Sequence, residues 1–85
     1  MIKIVILTNA WVFVGYHEDL GNGFHRLTKA KNIRRWGTTK GLGELKSGPF
    51  PDTKLDEAGT VEYPVSSLVA TIDCVGEVVS SGWQL

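Results

Sequence analysis

Apolar residues along this chain alternate or run in short blocks and do not recur every third or fourth place, so its elements read as strands. In residues 1–8, MIKIVILT, Ile2, Ile4 and Ile6 share one face, yet Val5 and Leu7 make the other face apolar as well. Residues 11–16, WVFVGY, repeat the pattern, with Trp11 and Phe13 on one side and Val12, Val14 and Tyr16 on the other. Strands that are apolar on both faces suit a small barrel, a sandwich, or a sheet buried between subunits. Thr8, Asn9 and Ala10 are enough to turn the first strand into the second, and residues 19–23, DLGNG, supply a second hairpin turn. Residues 24–28 and 32–36 continue a meander, and 60–65 and 68–75 are later strands rich in β-branched side chains. Pro64 marks an edge or a bulge. Helix is confined to single turns near 41–46 and 77–81. The predicted fold is mainly β: a small antiparallel meander or barrel-like sheet with one or two short helical turns, oligomeric.

Length sharpens the expectation of association. A chain of 85 residues makes one domain, 1–85, and buries only roughly 60% of the surface its unfolded form exposes. Domains this small gain stability from disulfides, a metal or association. Cys74 is the only cysteine, which excludes an internal disulfide and a cysteine-based zinc cluster and suits a reducing cytosol. Association is the favoured route. Trp83 near the C-terminus is expected to cover a neighbouring subunit, while Trp11 reads as core. The opening apolar run has no small-residue cleavage site and is far shorter than a membrane span, so it reads as a first strand.

A net charge of zero conceals an asymmetry. Between Arg26 and Lys46 seven cations face one acid, Glu44, whereas residues 47–85 hold Lys54 against six acids. Candidate chemistry therefore sits in residues 32–45, NIRRWGTTKGLGEL. Arg34 and Arg35 offer planar forks for phosphate oxygens, Trp36 a plate for a base, and Thr38, Thr39 and Lys40 hydroxyl donors and charge. Gly37, Gly41 and Gly43 would let backbone N–H groups approach an anion. The spacing is neither that of a P-loop nor that of a complete dinucleotide fingerprint.

Each feature has a plainer reading. Adjacent arginines of a strand point to opposite faces, one to solvent and one into an ion pair with the acidic C-terminal half, and residue types alone leave this and ligand binding equally open. Trp36 in a strand is more often core than platform. His17 and His25 flank the second turn with Glu18 and Asp19 nearby, but without a third near ligand they read as exposed side chains, so no metal is expected. No serine sits in a nucleophile elbow and no histidine adjoins Cys74 in sequence, so neither an enzymatic activity nor a cofactor is expected.

The segment 32–45 resembles that of small phage proteins that inhibit Thoeris immunity, the first-described type of anti-Thoeris sponge. The opening residues 1–15, MIKIVILTNAWVFVG, and the later Gly48-Pro49, Thr53-Lys54-Leu55-Asp56 and Gly59-Thr60 are similar in kind, so the resemblance covers most of the chain. It implies a non-enzymatic viral anti-defence protein that works by nucleotide sequestration in the cytoplasm of the infected bacterial host. Its ligand would be a cyclic ADP-ribose isomer, or a cyclic oligonucleotide of the related CBASS systems, bound without cleavage near the contacts of a homo-oligomer. On that footing Arg34, Arg35, Thr38, Thr39, Lys40 and Gly41 would meet the pyrophosphate, Trp36 or Phe13 would stack on adenine, and Asn9 and Asn32 would read the base edge. The alternatives are a phage nucleic-acid-binding domain, in which the same charges follow a backbone, and a structural β domain that binds neither. Membrane association is not expected.

Overall fold

The computed structural model describes residues 2–37, 41, 43, 45, 49, 51–74 and 83. Five antiparallel strands, β1 (Ile2–Leu7), β2 (Trp11–Asp19), β3 (Phe24–Arg35), β4 (Lys54–Pro64) and β5 (Leu68–Asp73), form one open sheet in the order β4-β3-β2-β1-β5. β1, β2 and β3 form the expected meander, β4, expected as a later strand, extends it, and β5 returns to pair with β1. Two segments expected as separate strands are one long β3, and β4 begins six residues before residue 60, at Lys54. Pro64 ends β4, an edge strand, where its missing N–H removes no ladder bond. The helical turns are the 3-10 segments Thr8–Ala10 and Val65–Ser67. Of the turn expected near 41–46, Gly43 and Leu45 have 3-10 geometry, and the turn expected at 77–81 lies outside the described residues.

Chain reach dictates the shape of the sheet. Pro64 lies beside Phe24 on one edge, and Leu68 lies beside Leu7 on the other. In a flat sheet those edges would be four strand spacings, about 19 Å, apart, and the two sites would also sit at opposite ends of β2. The four residue steps joining them span at most about 14 Å. The sheet must therefore coil until its edges approach, without closing into a barrel.

Bends in three neighbouring strands line up to allow this. The register of β2 against β3 shifts between Val14 and Tyr16, around Gly15. The register of β3 against β4 shifts between Leu27 and Ala30, around Lys29, whose φ of 52° is left-handed. Gly59, at φ 71°, faces Ala30 from β4. Gly15 is buried at the point of closest approach, where a Cβ would stand 3.1 Å from Thr28 O, 3.2 Å from Ala30 Cα and 3.2 Å from Leu27 Cβ.

Coiling gives each apolar face its cover. Val5 and Leu7 of β1 join Leu27 and Ala30 of β3 and Tyr63 of β4 in one core cluster, with Phe13, Val61 and Leu68 at its margin. Residues from strands so far apart in the sheet order share a cluster because the sheet wraps around this face. On the opposite face Ile4, Val12, Val14 and Ile33 are covered by Leu45 and Trp83, with Leu55 and Ile72 packed against them. Trp83, expected to cover a neighbouring subunit, is fully buried in its own chain. Trp11, expected in the core, is 55% exposed, because it opens β2 at the rim of the coil. Cys74 borders this second cluster, and burial pushes its thiol up to about 11.

Replacing Gly15 by alanine should lower the free energy of unfolding by roughly 1–3 kcal/mol, since two of the three atoms in the way belong to backbone. Urea denaturation checks this, and an unchanged midpoint would show that β2 and β3 need not approach so closely.

Candidate functional site

The central cations meet a partner strand that is acidic. Register pairs β3 with β4 so that Arg26 Nε donates to Glu62 Oε2 at 3.0 Å and Lys31 Nζ to Glu57 Oε1 at 2.5 Å. Arg34 Nε lies 2.9 Å from Asp56 Oδ2. Lys31 is buried, and its carboxylate partner offsets much of the desolvation its ammonium suffers. The charge asymmetry along the sequence is thus largely a cross-strand ladder, as the plainer reading of the arginines had it for Arg34. Like charges are left opposite one another at the end of that ladder, where Arg35 faces Lys54. Both side chains are exposed, and neither has an ion pair among the described residues.

Several of the predicted residues do come together on one face of the sheet. Phe13 lies directly opposite Asn32. Strand alternation puts Trp11 beside Phe13, and Arg34, at the register shift between Ile33 and Arg35, reaches Asp56, the residue opposite Asn32, from that same side. The Trp11 and Phe13 rings are stacked, with centroids 6.0 Å apart and an interplanar angle of 5°. Asn32 Nδ2 donates to Val12 O at 3.0 Å, which fixes its amide and turns its carbonyl oxygen away from that bond. The result is a strip with two parallel, stacked aromatic rings on β2, an amide and a guanidinium on β3, and Asp56 on β4. Trp11 belongs to it although the sequence reads as core there. The signal available was its place beside a turn, where a strand leaves the sheet interior.

Other predicted residues lie apart. Arg35 lies opposite Lys54, past the register shift at Arg34, whereas Arg34 reaches Asp56. Trp36 is 42% exposed, and its carbonyl accepts a 2.5 Å bond from Thr53 Oγ1. Gly37, at φ 69°, lets this stretch lie against the backbone of Asp52 and Thr53, so a close approach of two chain segments accounts for it. Asn9 is in the β1–β2 turn at φ 63°, a left-handed conformation that asparagine tolerates. Gly41 is at φ 107° with open space around it. Thr38, Thr39 and Lys40 lie outside the described residues. No pocket exists among the described residues, so the aromatic strip is an open surface.

A second polar cluster lies where β2, β3 and β4 end. His17 and His25, expected as exposed side chains, are partly buried, with their ring nitrogens Nε2 and Nδ1 3.1 Å apart. Their rings meet edge to face, and Tyr63 stands against His25 from β4. Burial lowers the His17 pKa from its ordinary value, Lys3 and His25 lower it further, and Asp19 partly opposes them. Burial also raises that of Tyr63. Hairpin register produces this cluster, and spacing along the sequence does not display it.

Because His17 resists protonation more in the folded chain than in the unfolded one, its contribution to stability is complete above about pH 6.5 and is lost as pH falls below it. The urea midpoint should therefore drop between neutrality and pH 5, and His17→Gln should flatten that drop. An equally steep drop in the variant would assign it to other groups. Comparison of the chain with protein-family models, curated proteins and solved structures finds no match.

Proposed function

We propose that this chain is a non-enzymatic binding domain for a phosphate-bearing nucleotide, and that its ligand is a cyclic ADP-ribose isomer sequestered intact, as the resemblance to anti-Thoeris sponges implies. The observation that supports this reading best is the pair of parallel, stacked rings, Trp11 and Phe13, on the face that carries Asn32 and Arg34. Flat rings take a nucleobase by stacking, worth about 1–3 kcal/mol per base. A guanidinium on the neighbouring strand takes a phosphate oxygen, and Arg34 would exchange its bond to Asp56 for one to a doubly charged pyrophosphate. Arg35 and Lys54, without an ion pair among the described residues, supply positive potential at the same end of β3 and β4.

Tight capture requires enclosure, because charge-assisted bonds gain strength away from water. The described face is open, so this reading places the nucleotide between copies of the chain, with the strip of one copy closing on the other. Action in the host cytoplasm belongs to the same proposal. No helix among the described residues is long and apolar enough to cross a membrane.

The open surface also favours a second reading, a single-stranded nucleic-acid binder, since a polymer needs a track and no lid. Calorimetry with cyclic ADP-ribose isomers and with an oligonucleotide, at low and moderate salt, separates the two. The sponge reading expects saturable capture of the cyclic nucleotide that persists at moderate salt, with intact ligand recovered by mass analysis after heat denaturation. Capture should weaken at least tenfold in Trp11→Ala and in the double variant Arg34→Ala with Arg35→Ala. Salt-sensitive binding of the oligonucleotide alone would support the polymer reading, and binding of neither would contradict both.

A further inference from the structure

Side-chain donors from three neighbouring strands converge away from the aromatic strip. His17 Nε2 of β2 lies 3.1 Å from His25 Nδ1 of β3, and Tyr63 Oη of β4 lies 3.4 Å from that same nitrogen. The other nitrogen of His25, Nε2, faces Asp19 Oδ2 at 3.7 Å. Asp19 is itself held in the β2–β3 turn, where its Oδ1 accepts the Gly21 N–H at 2.8 Å. A carboxylate on the far side of the ring favours the proton on Nε2 and leaves the Nδ1 lone pair facing His17 and Tyr63. That one lone pair faces two groups that can each donate, so hydrogen bonding alone uses the cluster incompletely.

The separations suit a different occupant. Donor atoms around a tetrahedral zinc ion, each about 2.0–2.1 Å from it, stand about 3.3 Å from one another. The observed 3.1 and 3.4 Å lie on either side of that value. Imidazole nitrogens select zinc, copper and nickel over calcium or magnesium. Among the described residues no group of three histidine, cysteine, aspartate or glutamate side chains could hold a metal ion, so a site here needs the phenol oxygen of Tyr63 as its third donor, and an ion would have to favour its deprotonation against the burial that raises its pKa. The His25 side chain retains 16% exposure and His17 is partly buried, which leaves a way in from the end of the sheet.

We propose that His17 Nε2, His25 Nδ1 and Tyr63 Oη form a binding site for a divalent transition-metal ion of the zinc or copper class, with Asp19 orienting the His25 ring. Such an ion would tie the ends of β2, β3 and β4 together, which is the role a structural metal plays in small domains. The site is separate from the aromatic strip, and its failure leaves the nucleotide reading untouched.

The test uses untagged protein freed of metal by a chelator and then titrated calorimetrically with zinc chloride and with copper(II) chloride. One ion per chain is expected, together with a raised urea midpoint. His17→Gln and His25→Gln should each weaken binding at least tenfold, and Tyr63→Phe, which keeps the buried ring, should weaken it measurably. Circular dichroism of the metal-free variants establishes that they fold. The chain has two histidines, so in the unaltered protein zinc must move both sets of imidazole NMR signals, which needs no variant. No binding of either ion, imidazole signals that stay in place, or full affinity in a folded His25→Gln overturns the site. Full affinity in Tyr63→Phe overturns the three-donor set.

Discussion

A four-residue step between opposite edges of a five-stranded sheet is the constraint on which the other features depend. Pro64 and Leu68 can be neighbours in sequence only if the sheet coils, and it coils where Gly15, Lys29 and Gly59 interrupt the pleat of adjacent strands. Coiling turns one apolar face into an interior, so Val5 and Leu7 share a cluster with Tyr63. On the other face Leu45 and Trp83 cover Ile4, Val12, Val14 and Ile33. Hairpin register sets the two histidines beside Tyr63, and Trp11 lies at the rim.

Electrostatics follow the strand order. Basic β3 lies between acidic β4 and apolar β2, so most of its charge is spent on cross-strand pairs. What stays available is local: an Arg34 that can change partner, and the like-charged pair of Arg35 and Lys54. A net of positive charge along a sequence thus overstates the field that a ligand meets, because a sheet sets residues distant in the chain side by side.

Period-two patterning made the strands legible in the sequence, as did the turn chemistry of Asn9 and of residues 19–23 and the edge position of Pro64. The continuity of β3 was not legible, since a bulge at Lys29 breaks the alternation that the sequence displays. Trp11 and Trp83 exchanged their expected places for a related reason: burial depends on which side of a coil a residue meets, and local pattern carries no sign of curvature. Of the candidate site, Phe13 and Asn32 share a face because register pairs them and Arg34 joins them through Asp56, while Asn9, Trp36 and Gly37 are accounted for by turns and backbone contacts. The histidine cluster was visible in sequence only as two residues beside a turn, because its third member comes from β4.

The coil is open to direct measurement in solution by nuclear Overhauser contacts between side chains. In the coiled sheet the methyl groups of Val5 and Leu7 belong to the same network as Leu27 and the Tyr63 ring, although β1 and β4 are three places apart in strand order. Contacts joining those four residues are predicted. A flat sheet would hold β1 and β4 about 14 Å apart, and contacts confined to hydrogen-bonded neighbouring strands would contradict the account.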